Sequence, residues 1–207
     1  MKREQLRLFV TGVGTGVGKT VLSGLLACMY LSQGRTVRYI KPVQTGHPPD
    51  DDAAEVRRIS GLPEDKATLL YTAEEPVAPA FAFDPFPFDE IVAAIESARD
   101  TDVLLVEGAG GLLVPLDAQR TFADLVRATG LEIVLAIPNR LGCINDAALN
   151  LYFIEKEGLS LHGLAMNEFF ENDAKNRERN RTALATMSLG AALYVYDAAG
   201  IARVSGK

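Results

Sequence analysis

Short unbroken apolar runs alternate along this chain with longer stretches in which apolar residues recur every three or four positions. The runs predict strands over 6–11, 36–40, 103–106, 132–137, 162–166 and 192–195. The periodic stretches predict helices over about 19–33, 52–59, 88–98, 121–129, 145–157 and 174–186. The runs are continuous rather than alternating, which is how strands covered on both faces read. Strands and helices in turn, joined by right-handed crossovers, predict an α/β fold. It is a doubly wound, mainly parallel sheet in a three-layer sandwich.

Ligands in such sheets sit beyond the carboxyl ends of the strands. Lys41-Pro42-Val43-Gln44-Thr45-Gly46 follow the second run, and Glu107-Gly108-Ala109-Gly110-Gly111 the third. Pro138-Asn139-Arg140-Leu141-Gly142 follow the fourth, and Asn167 the fifth. Polar groups thus converge on one edge of the predicted sheet. Residues 72–88 break the rhythm, with Pro76, Pro79, Pro85 and Pro87 among Phe81, Phe83, Phe86 and Phe88. Proline this dense excludes a central strand or helix there. It leaves a packed surface loop or the wall of a substrate pocket.

Composition narrows the function. A chain of 207 residues with 48% hydrophobic content suits a single domain over 1–207. A net charge of -6 argues against a nucleic-acid surface. The basic cluster at 175–181 reads as a solvated helix face. Cys28 and Cys143 stand far apart, and the two histidines, His47 and His162, form no zinc pattern or nucleophilic triad. Free thiols fit a reducing compartment. No stretch is long enough to span a membrane, and Met1-Lys2-Arg3-Glu4-Gln5 leads directly into a strand without a signal peptide. The expectation is a cytoplasmic protein.

The chemistry is most legible in Gly12-Val13-Gly14-Thr15-Gly16-Val17-Gly18-Lys19-Thr20, between the first strand and the first helix. A glycine-rich turn there lets backbone N–H groups converge on an anion. Lys19 reaches outer phosphates, and the Thr20 hydroxyl suits Mg²⁺. The pattern predicts a P-loop NTPase-like protein that binds a nucleoside triphosphate. Val13 occupies the usual first glycine position, so Gly12 makes the spacing before Gly18 five residues. Asp50-Asp51-Asp52 head a helix, where capping alone would explain one of them. Glu107 closes an apolar run, where a charge needs a partner. That partner is either a Mg²⁺ shared with Thr20 or a structural ion pair.

This ordered set resembles the dethiobiotin synthetase family over roughly 7–170. The likeness includes Val10-Thr11-Gly12, Val17-Gly18-Lys19-Thr20, Lys41-Pro42-Val43 and Thr45-Gly46. It continues through Val106 to Gly111, Pro115-Leu116, Thr121-Phe122-Ala123-Asp124, Leu141-Gly142-Cys143-Ile144-Asn145 and Asn167. The family shares the five-residue spacing before Gly18. The resemblance implies a homodimer that uses ATP, Mg²⁺ and CO₂ to close the ureido ring of dethiobiotin on 7,8-diaminopelargonic acid. Carried over by motif, Gly16, Val17, Gly18, Lys19, Thr20 and Val21 would hold phosphates. Thr20, Asp52 and Glu107 would hold Mg²⁺, with Asp50 or Asp51 as alternatives to Asp52. Lys19 and Lys41 would be catalytic. Gly108, Ala109, Gly110 and Gly111 would present N–H groups to the reacting centre. Thr15, Thr45 and Asn145 would meet the substrate, Asn145 across the dimer interface. Asn167 and Glu168 would meet the base.

The chain also departs from the family pattern. Gly16 stands where some members carry Glu, and Ala80 where a His is often found. The segment after 195 lacks the Gly-x-Ile-Pro-like border of the base pocket, which predicts weaker selectivity for adenine. Two rivals share the expected fold. A partition-type switch ATPase would carry a second lysine early in the phosphate loop, absent from 13–17 here. A cobyrinic-acid-type ligase would normally need a glutaminase domain, for which 207 residues leave little room.

Overall fold

Alternate residues of each apolar run go to opposite sides of one sheet, and both sides are covered. In β1 (Leu6–Gly12), Leu8 and Val10 join one core while Phe9 joins the other. In β4 (Val103–Glu107), Val103 and Leu105 face as Leu8 does, and Leu104 and Val106 face as Phe9 does. β5 (Glu132–Pro138) divides in the same way. An unbroken apolar run is the consequence of two cores meeting at one strand.

The computed structural model describes residues 4–170, 173–188 and 190–204. The remaining strands are β2 (Val37–Thr45), β3 (Ala67–Ala73), β6 (Leu161–Asn167), β7 (Ala192–Asp197) and β8 (Gly200–Val204). The sheet order is β3-β2-β4-β1-β5-β6-β7-β8, parallel throughout except for the antiparallel pair β7–β8. The helices are α1 (Lys19–Ser32), α2 (Asp52–Ser60), α3 (Pro79–Ala82), α4 (Phe88–Ser97), α5 (Phe122–Thr129), α6 (Cys143–Lys156) and α7 (Ala174–Met187). One core takes Leu22 and Leu26 of α1 with Val56 of α2. The other takes Ile91 of α4, Leu125 of α5, Leu151 of α6 and Leu184 of α7. The three-layer, doubly wound arrangement follows.

Several boundaries correct the sequence reading. β2 runs to Thr45, so Lys41 and Thr45 lie within the strand rather than after it. Pro42 is tolerated because pairing with β4 ends at Ile40, and only β3 continues alongside. Glu107 and Asn167 are likewise the last residues of their strands. β3 and β8, at the two sheet edges, were not predicted. The proline-rich segment holds a single helical turn, α3, with Pro79 in the first turn, where its missing N–H costs nothing. α6 begins at Cys143, which makes Asn145 its third residue. The N-terminal reading rests partly on residues 1–3, which lie outside the described residues. Among the described residues, no helix is long and apolar enough to cross a membrane.

Candidate active site

The phosphate loop leaves β1 and enters α1 through Gly18, whose φ of +93° is the left-handed region that favours glycine. A side chain at Gly18 would also strike the Asn167 amide and come within 3.2 Å of the Tyr196 hydroxyl. The loop is thus braced from behind by β6 and β7. Asn167 Nδ2 donates to the Val17 carbonyl (3.1 Å), and the Tyr196 hydroxyl donates to the carbonyls of Val17 and Gly18 (3.2 Å each). Gly24 lets α2 approach α1, since a Cβ there would come within 2.8 Å of Ile59. That approach carries the start of α2 to the phosphate loop.

At this junction the acidic triplet resolves by geometry. Asp51 caps α2, its Oδ1 accepting from the Ala54 N–H at 2.8 Å. Gln44 accepts from the Asp52 N–H at 3.0 Å and fixes the following residue. Asp52 then meets Thr20, which donates from Oγ1 to Oδ1 at 2.9 Å. The same hydroxyl lies 3.0 Å from Glu107 Oε1. Asp50 is exposed.

Glu107 is fully buried and has four polar partners. Thr20 and Lys41 (2.9 Å) share Oε1, while Ser23 (2.7 Å) and Tyr39 (3.1 Å) share Oε2. Lys41, 3% exposed, also reaches Asp52 Oδ2 at 2.5 Å and the Gly108 carbonyl at 3.1 Å. Burial pulls the Lys41 pKa down, but the charges of Glu107 and Asp52 outweigh it and hold the ammonium above its ordinary value. Burial pushes Asp52 up, and Lys41 and the Thr20 hydrogen bond bring it below the usual carboxylate range. Lys19 differs. Burial, then repulsion from Lys41, lowers its pKa against the pull of Glu107 and Asp52, and its Nζ donates to the Gly14 carbonyl at 3.2 Å. It is a cation short of anionic partners. Tyr39 is pushed well above its ordinary value by burial and by Glu107, so its hydroxyl stays a donor.

Three hard oxygen donors thus converge: the Thr20 hydroxyl and the carboxylates of Asp52 and Glu107. Mg²⁺ is typically held by one or two carboxylates together with substrate phosphates, and this donor set fits that description.

A cleft of about 1040 Å³ is lined by Thr15, Gly16, Gly18, Lys19, Thr20, Val21, Lys41, Thr45, Asp52, Glu107, Ala109 and Gly110. Most residues singled out from sequence are brought together there. Val17 and Gly108 lie buried behind it. Gly111 backs the loop, where an added Cβ would come within 3.2 Å of the Gly12 carbonyl. Pro76, Val77, Ala78 and Pro79 form one wall, so the proline-rich segment does border the cleft. Asn145 is exposed on the first turn of α6 and is not part of the lining.

The proposed base readers are more constrained than their sequence suggests. The Asn167 amide already gives Nδ2 to Val17 and takes the Phe169 N–H on Oδ1 at 3.1 Å. Glu168 Oε1 accepts from Asn139 Nδ2 (3.1 Å) and Arg181 Nε (2.9 Å). Arg177 and Arg181 belong to the basic cluster read as a solvated face, and both turn inward to Glu168. With Tyr196 and Asp197 these residues border a second cleft of about 380 Å³.

Sequence reasoning missed Ser23, Tyr39, Gln44 and Tyr196. The first two carried a signal. Ser23 is one helical turn after Thr20, and Tyr39 is two strand residues before Lys41. Each shares a face with a residue already singled out.

A family profile described as an AAA domain matches residues 6–191. The ATP-dependent dethiobiotin synthetase BioD of Corynebacterium kroppenstedtii is 38% identical over 164 residues, covering 76% of this chain and 70% of that protein. The protein of the same name from Mycobacterium leprae is 38% identical over 189 residues, covering 86% and 82%. The one from Methanocaldococcus jannaschii is 34% identical over 170 residues, covering 77% and 78%. Among solved structures, the signal recognition particle receptor FtsY of Elizabethkingia anophelis matches with a TM-score of 0.60 at 15% identity, covering 99% of this chain and 62% of that one. A putative plasmid partition protein of Borrelia burgdorferi matches at 0.55 and 12% identity, covering 89% and 84%. These structures share the P-loop NTPase-like fold alone. By sequence and by the ordered motifs around its cleft, the chain belongs to the dethiobiotin synthetase family.

Proposed function

We propose that this chain is an ATP-dependent cyclo-ligase that carboxylates 7,8-diaminopelargonic acid with CO₂ and closes the ureido ring to give dethiobiotin. The observation that carries this reading is Lys41, a buried ammonium held between Glu107 and Asp52 in the cleft that the phosphate loop also lines. One substrate amine adds to CO₂ and loses a proton, giving a carbamate. A carbamate oxygen attacks the γ-phosphorus and ADP leaves. The second amine attacks the resulting mixed anhydride at carbon, expelling phosphate and closing the ring. Each step places negative charge on carbamate or phosphoryl oxygens, and fixed cations and N–H dipoles stabilise such charge most effectively. Lys19 and Lys41 supply the cations, and the backbone of Gly108 to Gly111 the dipoles. Thr20, Asp52 and Glu107 would hold Mg²⁺, which neutralises phosphate charge when bound. Gly16, Val17, Gly18 and Val21 complete the phosphate cradle, Thr15 and Thr45 face the diamine, and Asn167 and Glu168 border the base.

The same reading makes the enzyme a homodimer. Ile144, Leu149 and Tyr152 leave an exposed apolar face on α6, with Asn145 among them and exposed Leu141 just ahead of the helix. α6 opens at Gly142 without a side-chain cap; the Arg140 carbonyl takes the Cys143 N–H, which leaves the N–H groups of Ile144 and Asn145 to receive an anion such as the substrate carboxylate in a second copy's cleft. The deciding assay combines diaminopelargonic acid, bicarbonate and Mg·ATP. ADP release that depends on the diamine, with dethiobiotin as product, is expected. Diamine-independent hydrolysis would overturn the ligase reading.

A further inference from the structure

Glu107 receives more support than a metal ligand or an ion pair alone requires. Its two oxygens have separate partners. Oε1 is shared with Thr20 and Lys41, groups that face the cleft. Oε2 is taken by Ser23 and Tyr39, both fully buried and outside the cleft lining. We propose that Ser23 and Tyr39 are positioning residues that clamp Glu107 Oε2 and so aim Oε1 at the divalent cation of the bound nucleotide. This rests on the reading that Thr20, Asp52 and Glu107 hold that cation.

The residue types argue for it. A serine inside a helix commonly turns its hydroxyl back to the carbonyl four residues earlier. Ser23 instead donates across to β4 at 2.7 Å. Phenylalanine would fill the Tyr39 site with the same ring and no hydroxyl to desolvate, so the hydroxyl is retained for the bond it makes. Backbone geometry delivers both groups. Ser23 sits three residues after Thr20 on α1, and Tyr39 two residues before Lys41 on β2, so each approaches Glu107 beside a cleft residue. Without the two hydroxyls, the carboxylate is free to turn both oxygens onto Lys41. Lys41 would then be paired at the expense of the oxygen meant for the metal. Partners behind a metal ligand typically contribute about 10–100-fold in metal affinity.

The test uses Mn²⁺ as the probe, titrated by electron paramagnetic resonance into the full chain with a non-hydrolysable ATP analogue. Ser23→Ala and Tyr39→Phe should each weaken Mn²⁺ binding by about tenfold, and the double variant by more. Affinity for the analogue without metal should stay within about twofold, because the phosphate loop is untouched. Tyr30→Phe removes another buried tyrosine hydroxyl from the same core and should leave Mn²⁺ affinity unchanged. Unaltered Mn²⁺ affinity in Ser23→Ala and Tyr39→Phe overturns the proposal. So does an equal loss of metal-dependent and metal-free binding, which marks general damage to the core. If Glu107→Gln and Asp52→Asn also bind Mn²⁺ normally, the metal reading itself has failed, and that result is distinct from failure of the clamp alone.

Discussion

In the proposed reaction Lys41 would tie stability to chemistry at a single residue. Its ammonium is the partner of two carboxylates, one fully buried. Lys41→Gln should lower kcat on the order of 10²-fold or more, because it removes a cation aimed at transition-state charge. Affinity for ATP should change less, since Lys19 and the loop remain; steady-state kinetics with an ATP binding titration checks both. The sequence left Glu107 open between a metal ligand and a structural ion pair. In the structure Glu107 is the ion-pair partner of Lys41, and in the proposed reading the same carboxylate also meets the metal. Glu107→Ala would leave buried Lys41 with Asp52 as its one carboxylate partner and Ser23 and Tyr39 without their acceptor, so it should destabilise the fold as well as remove a metal ligand. Glu107→Gln is therefore the cleaner probe of the metal.

Asp52 gives the same coupling a pH signature. Its folded pKa lies below its unfolded value, which is about 3.9. A depressed carboxyl contributes stability above the unfolded value and loses it as pH falls through the folded one. Lys41 has the opposite sign: its raised pKa contributes below about 10.4 and loses that contribution as pH rises through the folded value. The gap in melting temperature between the native chain and Asp52→Asn should therefore be widest on the neutral plateau. It should close as pH falls below about 4. Melting curves from pH 2 to 8 check this, and a gap that persists at the acid end would mean that Asp52 gains nothing from its charge.

At the scale of elements, legibility followed burial. The runs of β1, β4 and β5 were readable because both cores cover them. β3 and β8 were not, because edge strands expose one flank and carry weaker apolar patterns. Thr121-Phe122-Ala123-Asp124, read as a family motif, also has a local cause. It is a capping box at the start of α5, with Thr121 and Asp124 bonding each other's backbone. The acidic triplet could not be resolved from sequence, because its register depends on Gln44 and on the approach of α1 to α2. Tyr196 escaped for a related reason: its role is visible only once β7 lies beside β6. Tyr196→Phe should release the carbonyls of Val17 and Gly18 from their brace. ATP and ADP affinities should both fall by up to about tenfold, the reach of one hydrogen bond, with kcat little changed. Calorimetric titration of both nucleotides is the check. A loss confined to ATP would place Tyr196 at the γ-phosphate instead.

The same strand pair frames base selectivity. The hairpin β7–β8, in which Tyr196 pairs with Ile201, stands where the family's usual border was missing from the sequence. Asn167 is committed on both ends of its amide, and Arg181 and Asn139 occupy Glu168 Oε1. Base selectivity is strong where a site leaves polar groups unpaired with the wrong ligand. One amide N–H of Asn167 and Glu168 Oε2 are what these two residues leave for a base, too little to set up a strong penalty, and the phosphates supply most of the affinity. CTP and GTP should therefore support turnover with kcat/KM within about a hundredfold of ATP. A larger preference for ATP in a four-nucleotide comparison would show that this region still completes an adenine pocket.

For the whole molecule, the decisive question is where Asn145 works. One face of α6 buries Cys143, Ala147, Leu151 and Ile154. The opposite face exposes Leu149 (63%) and Tyr152 (67%), with Asn145 beside them and Leu141 (97%) just ahead of the helix. A polar residue set in an exposed apolar stripe, at an uncapped helix start, is poorly explained by a solitary chain. In the proposed homodimer the stripe is the interface, and Asn145 reaches the diamine in the partner's cleft. Tyr152→Glu places a charge on that stripe without touching the phosphate loop or Lys41. It should convert the protein to a monomer in sedimentation equilibrium. KM for the diamine should rise at least about tenfold, the loss of one hydrogen bond to a charged group, while KM for ATP holds within about twofold. Asn145→Ala should raise the diamine KM without changing the mass. A monomeric Tyr152→Glu variant with an unchanged diamine KM would show that each cleft is complete within one chain.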